Sequence, residues 1–231
     1  MIVIVLRILL ISAVLFAIDS TQTSALRLDD GKPAHQAFPK PVILIDVGHG
    51  GIDGGTSHGD LLEKDINLEI GRRLYILLRS EGYGSILNRS GDYALSDENR
   101  WHRTKSRHLR DLSQRKGLSE EVKTALVISL HVNWSKNASR QGAIVLHQNE
   151  GRSALLANCI QEALNGATNS NWQSEIGKPF YLLNHIEAPA VIVETGFISN
   201  RQDRDFLISA RGQTKIAKAI TEAISRYFLE S

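Results

Sequence analysis

Three short polar segments, Gly48-His49-Gly50-Gly51, Ser129-Leu130-His131-Val132-Asn133 and Val193-Glu194-Thr195-Gly196-Phe197, each follow or end a run of aliphatic and β-branched residues. Short apolar runs of this kind, closed by turn residues, are the pattern of strands buried on both faces. Two histidines and a glutamate are therefore expected at strand ends. Patterns of helical period alternate with the runs. In order they predict a strand at Val42 to Asp46, a helix from about Leu62 to Arg79, a strand near Ser85 to Asn88 and a basic helical stretch near Asp97 to Gln114. Strands at Ala125 to Leu130 and Ala143 to His147, a helix at Arg152 to Leu164, a short strand near Phe180 to Leu183, a strand at Ala190 to Glu194 and a helix at Gly212 to Phe228 complete the chain. This alternation predicts a single α/β domain: a mixed, mostly parallel, twisted sheet of about six strands flanked by helices. Open sheets of that type bind ligands at the carboxyl ends of their strands, where His49, His131 and Glu194 fall.

Between the first two segments, Glu63-Lys64-Asp65-Ile66-Asn67 opens a helix whose inward face is marked by Ile66, Ile70, Leu74 and Leu77. Glu63 lies on that face, where a carboxylate needs a partner for its charge. A metal would supply one, and the positive end of the helix dipole is the ordinary alternative; periodicity leaves both open. His49, Glu63 and His131 together would make an open zinc site at the strand C-terminal ends, three protein ligands leaving a fourth position for water. Nitrogen and oxygen donors without cysteine argue for hydrolytic rather than structural or iron–sulfur chemistry. Beside them Glu194 is the expected general base and acid, its pKa raised by the apolar strand that carries it. Standing alone it would read as a strand residue paired to an arginine.

Asn133 is a candidate for substrate binding or for orienting the neighbourhood of His131, and equally for stabilising a turn. The glycine-rich loop offers Gly51 for close approach to substrate, and His58 as an alternative ligand or substrate contact, against the simpler reading of an exposed side chain. No helix of phosphate-loop pattern follows that loop, which argues against phosphate binding. His35, His102, His108, His147 and His185 read as surface or hydrogen-bonded residues. Arg100, His102, Arg103, Lys105, Arg107, His108 and Arg110 form the densest basic stretch, read first as a solvated helix face and second as a contact for an anionic polymer or a protein partner.

At 231 residues with 42% hydrophobic and 23% charged, the chain suits one globular domain with a full core. Its net charge of +2 and lack of any nucleic-acid-binding motif argue against nucleic acid as a partner. Residues 2 to 17 form an apolar run interrupted only by Arg7 and Ser12, shorter than the ~20 residues of a spanning helix. Residues 1–25 are accordingly expected to be a signal peptide or N-terminal membrane anchor, 26–40 a linker, and 41–231 the catalytic domain. Membrane association would then come only through the N-terminal segment. The lone Cys159 cannot form an internal disulfide and reads as a small buried hydrophobe.

The segments Asp46 to Gly55, Glu63 to Asn67, Ser129 to Asn133 and Pro189 to Asn200 resemble, in order and spacing, the motifs of the zinc-dependent N-acetylmuramoyl-L-alanine amidases, the third amidase family of cell-wall hydrolases. The resemblance covers roughly residues 41 to 228, with Val47 where the family often has proline and Thr195 where it often has a small apolar residue. It implies that His49, Glu63 and His131 hold zinc, that Glu194 moves the proton, and that Arg115 is structural. It further implies peptidoglycan as substrate, cleaved between the lactyl group of N-acetylmuramic acid and L-alanine. The compact domain behind an apolar segment is similar to the spore-cortex, germination-specific branch, which trims stem peptides before muramic δ-lactam forms. Export to the cell envelope or the forespore intermembrane space follows from that, as does the prospect of an activating protein partner. A zinc exopeptidase and a non-catalytic wall-binding module are the alternatives; the first lacks any signal for holding a free terminus, and retention of all four site residues argues against the second.

Overall fold

The computed structural model describes residues 42–98 and 104–231. The expectations for residues 1–25 and 26–40, and for Arg100, His102 and Arg103, lie outside the described residues. Strand β1 (Val42–Val47) leads into a glycine-rich loop with a small hairpin, β2 (Ser57–His58) and β3 (Leu61–Leu62). Helix α1 (Glu63–Ser80), strand β4 (Ser85–Leu87), a 3-10 turn at Leu95–Glu98, helix α2 (Arg107–Glu121) and strand β5 (Thr124–Asn133) follow. Then come β6 (Ile144–His147), α3 (Gly151–Thr168), β7 (Glu175–Ile176), α4 (Tyr181–His185), β8 (Ala190–Phe197), α5 (Arg201–Ile208) and α6 (Ala210–Glu230).

Six strands form one sheet in the order β4-β1-β5-β8-β6-β7. β4, β1, β5 and β8 run parallel, and β6 reverses direction against β8 while pairing parallel with β7. The mixed, mostly parallel α/β sheet read from the sequence is the observed architecture. The period of two along each strand divides the core. Ile43, Ile45, Val47, Leu126, Ile128, Leu130, Val191 and Val193 face α1, α3 and α6, whose Ile70, Leu74, Ile160, Leu164, Ile220 and Ile224 are fully buried. Leu44, Val127 and Ile192 face the other way, toward Leu182, Leu183 and Ile186 around α4 and toward Leu112 and Leu118 of α2. Asp46 and Ser129 share this second face by the same alternation.

Two expectations are corrected. Phe180 to Leu183 is not a strand: Tyr181–His185 is a helical turn that buries Leu182 and Leu183 against the second core face, and the sixth strand is Glu175–Ile176. A four-residue apolar run has no period that separates the two, and the sheet edge was already taken by the preceding pair. The basic helix expected near Asp97 to Gln114 starts at Arg107 and runs to Glu121. Ser106 caps it by accepting the Leu109 N–H, and a 3-10 turn occupies Leu95–Glu98. Two elements have no counterpart in the sequence pattern: the hairpin Ser57–His58/Leu61–Leu62 at the end of the glycine-rich loop, and helix Arg201–Ile208, capped by the Asn200 side chain.

Candidate active site

Asp46, the penultimate residue of β1, faces α2, and beyond Val47 the chain turns through His49 at φ 60, Gly50 at φ 140 and Gly51 at φ 58. A left-handed non-glycine residue costs about 1 kcal/mol or more and persists where its surroundings enforce it. Two buried arginines do so here. Arg115 donates to the carbonyls of Val47 (2.8 Å) and His49 (3.0 Å), and to the carboxylates of Asp46 (2.7 Å) and Asp111 (2.6 Å). Arg89 donates to the carbonyls of Val47 (3.2 Å), Gly48 (3.0 Å) and Lys64 (2.8 Å). Carbonyls that a regular strand would pair are thus satisfied by guanidinium donors. Burial opposes the charge on Asp46, but the Arg115 guanidinium and the Ser129 hydroxyl hold its carboxyl below the usual range. Burial and the nearby Arg115 charge push Arg89 down to about 10. The structural role expected of Arg115 is what its contacts describe.

The Gly51 N–H is taken by Asp92 (2.7 Å), and its carbonyl accepts from Lys64 Nζ (2.8 Å). The glycines nearest the converging side chains, Gly48 and Gly55, admit no side chain. A Cβ on Gly48 would lie 2.6 Å from the His131 ring and from the Leu130 carbonyl, and one on Gly55, at φ +68, would lie 2.5 Å from Glu63 Oε2 and 2.7 Å from His49 Cδ2.

Helix α1 lacks a side-chain cap. Its first N–H groups reach loop carbonyls instead, Glu63 N to Thr56 O (2.9 Å) and Lys64 N to Gly54 O (3.1 Å), which fixes Glu63 beneath the loop. The Glu63 side chain is buried. Its Oε2 accepts the Thr56 N–H (2.8 Å), and its Oε1 accepts the Val132 N–H (2.9 Å) and lies 3.3 Å from Asn67 Nδ2. The same Oε1 stands 2.9 Å from His131 Nδ1 and 3.2 Å from His49 Nε2. His49, Glu63 and His131 therefore converge, one donor atom from each lying within 4.8 Å of the others. Burial opposes ionisation of Glu63, but both histidines hold its carboxyl well below the usual range. Glu63 in turn, with Asp53, holds the His49 imidazole above its ordinary value against the effect of burial. Three lone-pair-bearing atoms gathered this closely require protons or a cation between them. The donor set, two imidazoles and a carboxylate with no thiolate, is one that zinc accepts with a position left open.

His131 and Glu194 are register partners across β5 and β8. Thr195 Oγ1 donates to the His131 carbonyl (2.9 Å), so the departure at this position supports the end of β5 that carries His131, where the register shifts. Glu194 Oε2 is buried and has no hydrogen-bond partner among the described residues. Burial pushes this carboxyl up to about 7, the Glu63 charge adding to the rise and the histidines opposing it. Of the other expected site residues, Asn133 uses its Oδ1 to accept the Trp134 N–H (2.7 Å), a turn contact at the strand end. His58 is exposed on β2 and is not among the converging donors. His108 and His185 are exposed, while His147 is buried with Nδ1 2.6 Å from the Gln148 carbonyl. Cys159 is buried, as expected. Asp53, which the sequence analysis does not single out, and Arg107, read there only as part of the basic stretch, approach the site from its rim: Asp53 Oδ2 lies 3.1 Å from His49 Nδ1 and 3.9 Å from Arg107 Nη1. The one available signal was the four-residue spacing of His49 and Asp53 inside a glycine-rich loop.

The family model for N-acetylmuramoyl-L-alanine amidases matches residues 43–226. The chain belongs to that family. As an amidase of peptidoglycan it is an enzyme, which sets aside both the exopeptidase and the non-catalytic reading. The germination-specific N-acetylmuramoyl-L-alanine amidase of Bacillus subtilis is 31% identical over 204 residues, 87% of this chain and 86% of that protein. Among solved structures, the CwlD amidase from Clostridioides difficile in complex with the GerS lipoprotein is similar with a TM-score of 0.77 at 31% identity, covering 83% of this chain and 100% of that one. An N-acetylmuramoyl-L-alanine amidase of Nostoc punctiforme is similar with a TM-score of 0.69 at 28% identity, over 82% of this amidase and 97% of that chain. Among the described residues, no helix is long and apolar enough to cross a membrane.

Proposed function

We propose that the amidase acts on spore-cortex peptidoglycan, cleaving the bond between the lactyl group of N-acetylmuramic acid and L-alanine so that muramic δ-lactam can form. His49, Glu63 and His131 hold a zinc ion in this reading, and Glu194 carries the proton. The observation that carries it is the contrast between a carboxylate surrounded by donors at Glu63 and an unpartnered one at Glu194, side by side at the sheet edge. Zinc in such a site polarises the scissile carbonyl and lowers the pKa of water to about 7. Glu194 accepts a proton from the attacking water as the oxygen–carbon bond forms. It returns that proton to the amide nitrogen as the carbon–nitrogen bond breaks, so the stem peptide leaves as a free amine and the lactyl group as a carboxylic acid. A pKa near 7 suits both halves of that task at neutral pH. Asn133, Gly51 and His58 remain the candidates for holding substrate.

The names of the similar proteins support the cortex setting, and the lipoprotein in the similar complex supports a protein partner that activates or docks this enzyme. Residues 2 to 17 are read as the export segment, 26–40 as linker and 41–231 as the catalytic domain, in keeping with an envelope substrate. Purified peptidoglycan incubated with the zinc-loaded protein should release stem peptides bearing a free L-alanine amino group, seen by mass spectrometry, with muramic acid intact. New termini within the peptide or the glycan would overturn the assignment of the bond.

A further inference from the structure

Asp53 sits where a carboxylate can decide which nitrogen of His49 faces the interior. Its backbone is locked by a two-way bridge, Gly50 N to Asp53 O at 3.0 Å and Asp53 N to Gly50 O at 3.1 Å. One carboxylate oxygen accepts the Gly55 N–H at 3.2 Å. The other, Oδ2, is left for His49 Nδ1 at 3.1 Å, off the line of a good hydrogen bond but in ion-pair range, with Arg107 Nη1 beyond it at 3.9 Å. The loop thus closes on itself, and the imidazole is placed with Nδ1 outward to Asp53 and Nε2 inward to Glu63.

We infer that Asp53 is a positioning residue for the metal site. Resting on the zinc assignment above, the inference is that Asp53 selects the His49 tautomer with its proton on Nδ1, leaving the Nε2 lone pair for the ion. A carboxylate is an acceptor only, so it favours a proton on the ring nitrogen facing it. Ligating histidines are commonly oriented this way, and loss of the orienting group lowers metal affinity by about 10- to 100-fold. Glu63 cannot take this part, because its carboxylate belongs to the converging donor set. Arg107 serves the same end one step out by keeping the Asp53 carboxylate charged and turned toward the ring. Asp53 is about one-quarter exposed and lies outside the apolar core, so its substitution leaves the packing of the sheet intact.

The test is zinc affinity by chelator competition for the parent, Asp53→Ala and Asp53→Asn, together with thermal unfolding of each metal-free protein and the nitrogen NMR signature of the His49 tautomer. Asp53→Ala should lose about 10- to 100-fold in affinity with an unchanged metal-free transition, and its His49 proton should move toward Nε2. Asp53→Asn, which keeps an oxygen acceptor, should fall between the two. Two results overturn the inference: both variants binding zinc as tightly as the parent, or affinity falling only in step with metal-free stability while the tautomer stays put. A parent that takes up no zinc overturns the metal assignment and this inference together, whereas a zinc-loaded parent with an equally tight Asp53→Ala protein removes Asp53 alone.

Discussion

The two halves of the site are built by opposite means. His131 and Glu194 are carried by regular strands, and their placement side by side follows from the register of β5 and β8. His49 is carried by a loop whose backbone enters the left-handed region and which is held by two buried arginines, glycines without room for a Cβ and the Asp53 bridge. The first half needs only a sheet to form. The second needs a set of specific polar contacts, any of which can fail alone. The contrast extends to the two glutamates. Glu63, on the loop side, is saturated with donors and stays ionised, whereas Glu194, on the strand side, has a buried Oε2 with no partner among the described residues, and burial pushes its carboxyl up to about 7.

Breaking the loop half should produce the largest effect. Arg115→Met removes the donor to two loop carbonyls and leaves the Asp46 carboxylate buried without its cation, which should cost about 3–5 kcal/mol, read from urea unfolding. A loss below about 1 kcal/mol would mean that the loop does not depend on the arginine. On the strand side, Glu194→Gln in metal-free protein should do the reverse. With a pKa raised from 4.5 to about 7, the folded protein keeps a proton that the unfolded chain releases. Parent stability should therefore fall between about pH 4.5 and 7 and level off above. The glutamine protein should be up to about 3 kcal/mol more stable than the parent at pH 8 and equal to it below pH 4. Equal stability at both pH values would show that Glu194 is not desolvated. The smallest effect sharpens the comparison within the loop. Gly55→Ala, forced against Glu63 and His49 at positive φ, should cost about 1–3 kcal/mol and weaken zinc binding. Its neighbour Gly54→Ala, whose Cβ would meet Leu62 at an ordinary 3.4 Å, should stay within roughly 0.5 kcal/mol in the same unfolding measurement.

The division between strand-borne and loop-borne features also marks what the sequence could reveal. The sheet, its buried strands and the long helices were legible because apolar period reports them directly, and the positions of His49, His131 and Glu194 followed from the runs that precede them. Glu63 needed more than period, since a carboxylate at a helix start has an ordinary explanation; the donors converging on it come from Thr56 in the preceding loop and from Val132 and His131, a segment remote in the chain. Arg89 was illegible for the same reason, and Asp53 left only its four-residue spacing from His49. The partners of Arg89 are backbone carbonyls, which leave no trace in residue pattern. The strand expected at Phe180 to Leu183 failed where two adjacent leucines pack on one core face as a helical turn, a short-range tie that tertiary contact decides.

The distinct duties proposed for the two glutamates are separated most directly by measuring amide cleavage on purified peptidoglycan and zinc content in the same samples of Glu194→Gln, Glu63→Gln and parent. Glu194→Gln keeps the side-chain shape but loses the basic oxygen. It should remain folded and fully zinc-loaded while turnover falls by roughly 100-fold or more. Glu63→Gln should lose bound zinc and activity together, with partial recovery in excess zinc. A zinc-loaded Glu194→Gln protein as active as the parent would contradict the account.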